Sequence, residues 1–255
     1  MPKIYSYSRL ESYEKCLQKF KFRYIDKIIP EVEKSVEAHL GKSVHHALEW
    51  LYTQVKEKRI PSIDDLIENY VQAWEREFAP NMLIVNKQLT FKDYQIKGVE
   101  FLVSYYISNK PFDENTLELE KRIYLTLDKE GKYKLTGFID RLSYNLTTNE
   151  YEIHDYKTAN SPPSMERLKK DRQLALYSLA IKELFGEDKE VKMVWHFLAL
   201  NKKFIHKKTN EELQTLKTEV IALIEKIEST TNFPPNVSPL CSWCEYKSIC
   251  PAWKK

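Results

Sequence analysis

The spacing of apolar residues changes along this chain, and the order of the changes limits the folds that it can adopt. Up to about residue 110, apolar and aromatic residues recur every three or four positions, which indicates helices. From 116 to 158 they alternate in three runs separated by turn residues, which predicts adjacent antiparallel strands. Helical spacing returns at 164–185 and 209–229, and a run typical of a buried strand lies between them at 190–200. This order predicts an α/β fold in which helices flank a mixed central sheet.

Length and composition are those of an ordinary globular chain. Its 255 residues are 42% apolar and 30% charged, which suffices for a core and excludes overall disorder. No apolar run reaches the roughly 18 residues of a membrane span, and the first thirty residues are too charged for a signal peptide. We therefore expect a cytoplasmic protein with no membrane partner, folded as one domain over 1–255. Its parts would be a helical region at 1–110, a sheet core with the active site at 111–208, and a C-terminal helix and cysteine tail at 209–255.

The four cysteines are unevenly distributed. Cys241, Cys244 and Cys250 form a C-x2-C-x5-C cluster followed by Pro251, whereas Cys16 lies near the other end of the chain. The C-x2-C spacing lets two thiolates converge on one metal ion. A structural zinc ion, a 4Fe–4S cluster and buried thiols without a metal are the three alternatives. Either metal centre would join the N-terminal region to the C-terminal tail and close almost the whole chain into one loop.

Two acids and a lysine lie together on the predicted strands. Asp155 and Lys157 are two residues apart and project from the same face of one strand, and Asp140 lies in the adjacent hairpin strand. Solvated surface charges produce the same D-x-K pattern, but Asp140 follows an apolar pair and Asp155 ends a strand with apolar residues, so both acids lie at the edge of a core. This set suits phosphodiester hydrolysis, in which Mg²⁺ or Mn²⁺ activates water and the lysine orients it or neutralises the developing anion. His45, on one helical face with Glu49, is a candidate ligand of the same metal, the alternative being a structural histidine.

Gln173 and Tyr177 share one face of the predicted helix 164–185, beside basic residues. Two interpretations stay open: an amphipathic helix with a solvated basic edge, or a polar clamp on DNA phosphates close to the metal. A second basic patch at 202–208 has the same two interpretations, since solvated charged faces are common.

Six segments of the chain occur in the order found in a known nuclease family. Together they resemble the RecB-type nuclease domain of the PD-(D/E)XK superfamily in its iron–sulfur form, which includes AddB-type helicase-nuclease subunits and the small CRISPR-associated exonuclease. One such motif is weak evidence, but six in order over almost the whole chain are specific. The segments are SYSRLESYEKC (6–16), LGKSVHHALE (40–49), GFIDRLS (137–143), DYKTA (155–159), QLALY (173–177) and C-x2-C-x5-CP (241–251).

The resemblance implies a restriction-endonuclease-like sheet core that carries a divalent-metal nuclease site. Carried over to this chain, it makes metal ligands of three side chains and one main-chain carbonyl, with one lysine as the catalytic lysine. The ligands are His45, Asp140, Asp155 and the carbonyl of Tyr156, and the lysine is Lys157.

The resemblance also assigns Gln173 and Tyr177 to DNA binding and active-site geometry, and all four cysteines to a 4Fe–4S cluster that joins the tail to the helical region. The implied function is a metal-dependent DNA exonuclease on single-stranded DNA or duplex ends, either free-standing or recruited by a helicase or CRISPR integrase subunit. DNA repair, phage biology and CRISPR adaptation are all open as its pathway. The alternatives are a catalytically silent DNA-end-binding subunit and a zinc-stapled protein unrelated to nucleic acid. The chain keeps both acids and the lysine, which favours the enzyme.

Overall fold

A six-stranded sheet runs through the molecule, with helices on both of its faces. The computed structural model describes residues 3–30, 35–79, 81–160 and 164–253. The helices are α1 (Tyr7–Lys15), α2 (Leu17–Phe20), α3 (Val36–Lys56), α4 (Ile63–Arg76), α5 (Phe91–Asn109), α6 (Met165–Lys169), α7 (Gln173–Phe185) and α8 (Asn210–Ser229). The strands are β1 (Lys3–Ser6), β2 (Thr116–Thr126), β3 (Tyr133–Asn145), β4 (Glu150–Lys157), β5 (Val191–Phe197) and β6 (Lys202–His206). The predicted mixed α/β architecture is confirmed.

Two predicted elements differ from the structure, and two short strands were not predicted. The predicted helix 164–185 is two helices, because the chain turns at 170–172 and Asp171 Oδ1 accepts a hydrogen bond from Leu174 N at 3.0 Å in the first turn of α7. The strand predicted at 190–200 ends as β5 at Phe197, where a 3₁₀ turn follows. The short strands β1 and β6 were not predicted, since four or five residues are too few for a clear alternation. Among the described residues, none of the helices has the length and apolar composition needed to cross a membrane.

Strand β3 lies at the centre of the sheet and has different neighbours on its two edges. On one edge it pairs antiparallel with β2. On the other edge it pairs in parallel with β1 over 133–136 and then antiparallel with β4 over 141–145. Residues 137–140 lie between these two partners, and the described strands leave that stretch of the edge unpaired. β5 pairs in parallel with β4 and antiparallel with β6, which makes the sheet mixed. The unpaired stretch of β3 leaves a gap between β1 and β4.

Both strands of the β2–β3 hairpin change the face that they bury at the same level. Ile123 packs in the core under α7 and α8, and the two-residue period of a strand would place Leu119 there too, but Leu119 packs on the side of α3 to α5. On β3, Ile139 and Leu142 are three residues apart, yet both lie in the core under α7 and α8. Glu120 has a φ of 44°, a left-handed value that is uncommon outside glycine, and this residue produces the change of face in β2.

In the part of the chain that the structure describes, two hydrophobic cores hold the helices against the sheet. The first lies between the sheet and α7 and α8, and the second lies among α3, α4 and α5 and includes Tyr156 of β4. Helices α4 and α5 each begin at a capping box, in which Ser62 and Thr90 are the N-cap residues. This packing fixes α3 above the gap of the sheet, where it presents His45.

The cysteine tail packs against the N-terminal helices. Tyr246 donates a hydrogen bond to the carbonyl of Ile28 at 3.1 Å. Lys19 Nζ lies 2.7 Å from Glu245 Oε2, with both side chains partly buried. These contacts bring the two ends of the chain together, and the metal centre expected between them stays a prediction.

Candidate active site

The open edge of β3 carries the first carboxylate of the site. Asp140 is the last residue of the unpaired stretch, and its Oδ2 accepts a hydrogen bond from Tyr156 N at 2.9 Å. Because Arg141 pairs with His154, the next pair along the ladder sets Asp140 opposite Asp155. The two predicted acids therefore lie opposite each other at the edge of the gap, where the pairing of β3 with β4 ends.

Asp155 and Lys157 form an ion pair on β4. Lys157 Nζ lies 3.0 Å from Asp155 Oδ1 and 2.8 Å from Oδ2. The Asp155 side chain is 6% exposed, and its burial raises its pKa, with Lys157 opposing the increase and Asp140 adding to it. Burial lowers the pKa of Lys157, but the carboxylates of Asp155, followed by Asp140 and Asp171, together outweigh it, and the pKa lies above its ordinary value. The lysine is therefore a protonated cation that a carboxylate holds in place.

His45 reaches the same point from α3. Its Nε2 donates a hydrogen bond to the carbonyl oxygen of Tyr156 at 2.7 Å, and its Nδ1 lies 3.4 Å from Asp140 Oδ2. Burial lowers the pKa of His45, but Asp140, followed by Asp155 and the Tyr156 carbonyl, together outweigh it and the pKa rises to about 9. The protonated imidazole of His45 thus bridges the Asp140 carboxylate and the Tyr156 carbonyl, which the resemblance assigns as metal ligands. A bound cation would displace this proton.

Glu120 is a site residue that the sequence analysis missed. Its carboxylate, an imidazole nitrogen of His45 and a carboxylate oxygen of Asp140 all lie within 4.8 Å of one another. Burial raises the pKa of Glu120 to about 7, and Asp140 adds to the increase. The sequence did contain a signal: a hairpin whose turn is centred on residue 130 pairs position 120 with position 140, in agreement with the observed register. The register alone, however, does not fix the face of the sheet on which the Glu120 side chain lies. Its approach to the site goes together with its left-handed backbone conformation.

The residues at the gap fit a divalent cation. Three carboxylates and one imidazole supply the oxygen and nitrogen donors that Mg²⁺ and Mn²⁺ accept. Asp155 Oδ2 is fully buried and makes no hydrogen bond within the part of the chain that is described, although the Lys157 ammonium lies beside it. A cation bound at the gap would add its positive charge to that of the Lys157 ammonium beside this buried carboxylate.

Tyr177 closes the floor of the gap from α7. A Cβ atom at Gly137 would lie 2.4 Å from the Tyr177 hydroxyl oxygen, so the ring packs directly on the glycine of β3. Gln173, one turn earlier, interacts with the same hydroxyl. The predicted helical pair therefore faces the acids of the site, whereas its contact with DNA stays a prediction.

Tyr156 connects the site to a buried polar network. Its main-chain N–H and carbonyl bind Asp140 and His45, and its hydroxyl accepts a hydrogen bond from Arg141 Nε at 2.9 Å. Arg141 is fully buried, lies 4.1 Å above the Tyr52 ring and approaches a carboxylate oxygen of Glu114 to 2.6 Å. Nothing in the local sequence marks this arginine as buried, because its burial depends on Tyr52 of α3 and Tyr156 of β4, which are distant from it or lie on another strand.

The four cysteines line one cavity between the N-terminal helices and the tail: Cys16, Cys241, Cys244 and Cys250. The main-chain N–H of Asn236 donates to Cys16 Sγ at 3.4 Å, and that of Ser238 donates to Cys241 Sγ at 3.4 Å. Hydrogen bonds of this kind are found around iron–sulfur centres, where they influence the reduction potential. Burial raises the pKa of the Cys244 thiol. An all-cysteine donor set fits a 4Fe–4S cluster and zinc alike, and the choice between them stays a prediction.

Comparison with known proteins gives a family and a fold. The sequence profile of the PD-(D/E)XK nuclease superfamily matches residues 4–251. A solved structure described as a "putative exonuclease" from Eubacterium rectale matches with a TM-score of 0.54 and 12% identity, over 94% of this chain and 86% of that chain. The crystal structure of SSO0001 matches with a TM-score of 0.43 and 16% identity, over 86% of this chain and 97% of that chain. No curated protein sequence matches the chain. At 12% identity, the likeness to the first structure shows a shared fold alone.

Proposed function

The chain belongs to the PD-(D/E)XK nuclease superfamily, and from this premise we propose that it is a divalent-metal-dependent DNA exonuclease acting on single-stranded DNA or duplex ends. One observation carries the proposal: Asp140, Asp155 and Lys157 converge at the gap in the sheet. A fold by itself supports many functions, whereas these side chains and their distances are specific to one kind of chemistry.

The proposed reaction needs a cation and a positioned lysine. A bound Mg²⁺ or Mn²⁺ would lower the pKa of a water molecule and stabilise negative charge on the scissile phosphate. Asp140, Asp155, His45 and the carbonyl of Tyr156 would hold the cation, as the resemblance implies. Lys157, held by Asp155, places an ammonium group beside the reacting phosphate and neutralises charge as it develops.

A nuclease assay on labelled single-stranded and duplex DNA tests the proposal. The protein is incubated with Mn²⁺, with Mg²⁺ and with chelator, beside the variants Asp140→Ala, Asp155→Ala and Lys157→Ala. Degradation should require metal and should be lost in all three variants. Asp188→Ala is the matched control, because Asp188 is 78% exposed and lies in a surface ion pair.

Thermal unfolding of each variant separates loss of chemistry from loss of fold. Wild-type rates in the three site variants would refute the proposed site. If the metal-loaded wild type does not cleave either substrate, the proposed activity is wrong, and the alternative of a DNA-end-binding subunit takes its place.

The cysteine cavity is proposed to hold a 4Fe–4S cluster that joins the two ends of the chain. The support is the presence of four thiols in one cavity with main-chain N–H groups directed at two of the sulfurs. Protein purified without oxygen should contain iron and sulfide and absorb visible light, and Cys16→Ser should lose both properties. Zinc in place of iron would overturn this assignment and leave the proposal for the nuclease site untouched. Cooperation with a helicase or a CRISPR integrase subunit is a further proposal, which co-purification would test.

A further inference from the structure

The outer face of the β2–β3 hairpin exposes aromatic and basic side chains beside the candidate active site. From 122 to 126 and from 133 to 139, the odd-numbered residues face the core under α7 and α8, and the even-numbered residues face away from it. The register sets three cross-strand pairs on this outer face. They are Arg122 with Phe138, Tyr124 with Thr136, and Thr126 with Lys134. We call these six residues the hairpin face.

The two rings of the hairpin face are unusually open for aromatic side chains on a sheet. Tyr124 is 53% exposed and Phe138 is 52% exposed. The Arg122 guanidinium lies 5.0 Å from the centre of the Tyr124 ring and 5.9 Å from that of Phe138. A cation between two exposed rings leaves the outer surface of each ring free to stack on a planar group.

The charge of the hairpin face is not neutralised. Within the described residues, neither Arg122 nor Lys134 forms an ion pair with a carboxylate, and all six members of the face lack an acid group. The basic patch at 202–208 is different, because Lys203 and Lys208 bind Glu114 and Glu212. The hairpin face is thus the more suitable surface for a polyanion.

The hairpin face also lies directly beside the candidate metal ligands. Phe138 precedes Asp140 by two residues, a distance of about 7 Å along a strand, so its exposed ring lies next to the first carboxylate of the site. Exposed rings combined with unpaired cations are the features with which proteins bind single strands, since every base offers a ring face and every linkage a phosphate. We propose that the hairpin face binds single-stranded DNA and leads the strand to the candidate active site. This inference rests on the proposed nuclease function, and names the surface that would select unpaired substrate.

Binding measured in chelator tests the inference without any cleavage. The probe is a fluorescently labelled oligothymidylate, the readout is anisotropy, and the same sequence annealed to its complement is the duplex probe. Tyr124→Ala and Phe138→Ala should each weaken single-strand binding by about 5- to 150-fold, the range found for base–aromatic stacking. Tyr124→Phe keeps the ring and should bind like the wild type. Arg122→Gln should reduce the slope of log affinity against log salt by roughly 0.7, as expected for one phosphate contact on a single strand.

Phe185→Ala is the matched control, because Phe185 is also an exposed aromatic ring, at 37%, but lies outside the hairpin face and stacks on Tyr151. It should leave single-strand binding unchanged. Wild-type affinity in Tyr124→Ala and Phe138→Ala would overturn the inference, and so would an equal loss of affinity for the duplex probe. These outcomes are independent of the nuclease assay, since an active enzyme can lack this surface and an inactive protein can still bind DNA through it.

Discussion

Replacing Arg141 with methionine would remove a fully buried cation from beneath the candidate site. Methionine fills much of the same volume, so the main loss is electrostatic. Glu114 would lose a partner at 2.6 Å, and the Tyr156 hydroxyl would lose a hydrogen bond of 2.9 Å. Breaking one side of a buried ion pair costs about 3–5 kcal/mol of stability. The Glu114 side chain is 34% exposed and keeps Lys203 at 3.2 Å, so we expect the lower end, about 3 kcal/mol.

Lys203→Met is the matched control, because it removes the other cation from the same carboxylate. Both partners of that second pair are about one third exposed, and such pairs contribute less than about 1 kcal/mol. Urea unfolding followed by tryptophan fluorescence measures both variants. Equal losses in the two variants, or a loss below about 1 kcal/mol for Arg141→Met, would refute the reasoning.

The same pair gives a pH dependence whose sign can be stated. Burial raises the pKa of Glu114, but Arg141 and then Lys203 outweigh it and lower the pKa to about 2. The ionised carboxylate therefore stabilises the fold above its ordinary pKa of 4.5, and this stabilisation is lost as the pH falls from 4.5 towards 2. His154, which also faces Glu114, has a pKa well below its ordinary value because of burial and Arg141. The loss of stability at acid pH should be smaller in Arg141→Met than in the wild type, and urea unfolding at several pH values measures this loss.

Two further predictions concern the gap itself. Gly137→Ala should lower stability by about 1–3 kcal/mol and slow DNA cleavage, because its Cβ would overlap the Tyr177 ring. Gly41→Ala is the control: its Cβ would lie 3.5 Å from the nearest atom, so it should be tolerated in the same unfolding and cleavage assays. Glu120→Gln should weaken Mn²⁺ binding by about tenfold or more in calorimetry, whereas Glu118→Gln, at an exposed position of the same strand, should bind like the wild type. Unchanged Mn²⁺ affinity in Glu120→Gln would remove that residue from the site.

Tyr156 explains why the buried network and the site should respond together. Its main chain binds Asp140 and His45, and its side chain is held by Arg141 in the second core. A change in the core can therefore shift the carbonyl proposed as a metal ligand. Arg141→Met should reduce the cleavage rate as well as the free energy of unfolding. If Arg141→Met is less stable but cleaves DNA at the wild-type rate when folded, the core and the site do not respond together.

The local pattern of the sequence was sufficient for the hairpin and for part of the site. Alternation over β2 and β3 gives the two strands, and a turn centred on residue 130 gives their register. The two-residue period also places Asp155 and Lys157 on one face, where the structure shows an ion pair. These features depend on residues that are close in sequence, and periodicity reports them directly.

Only the tertiary structure decided how the remaining parts meet. The gap exists because β1, a strand of four residues, pairs with the first part of β3 and β4 pairs with the last part, which leaves the stretch between them unpaired. A strand as short as β1 has no periodic signal in the sequence. His45 reaches Tyr156 across 111 residues of chain because the second core fixes α3 above that gap. The burial of Arg141 and the left-handed backbone of Glu120 likewise follow from long-range packing. A sequence pattern records which side of an element is buried, whereas the element that covers it is chosen by packing across the whole chain.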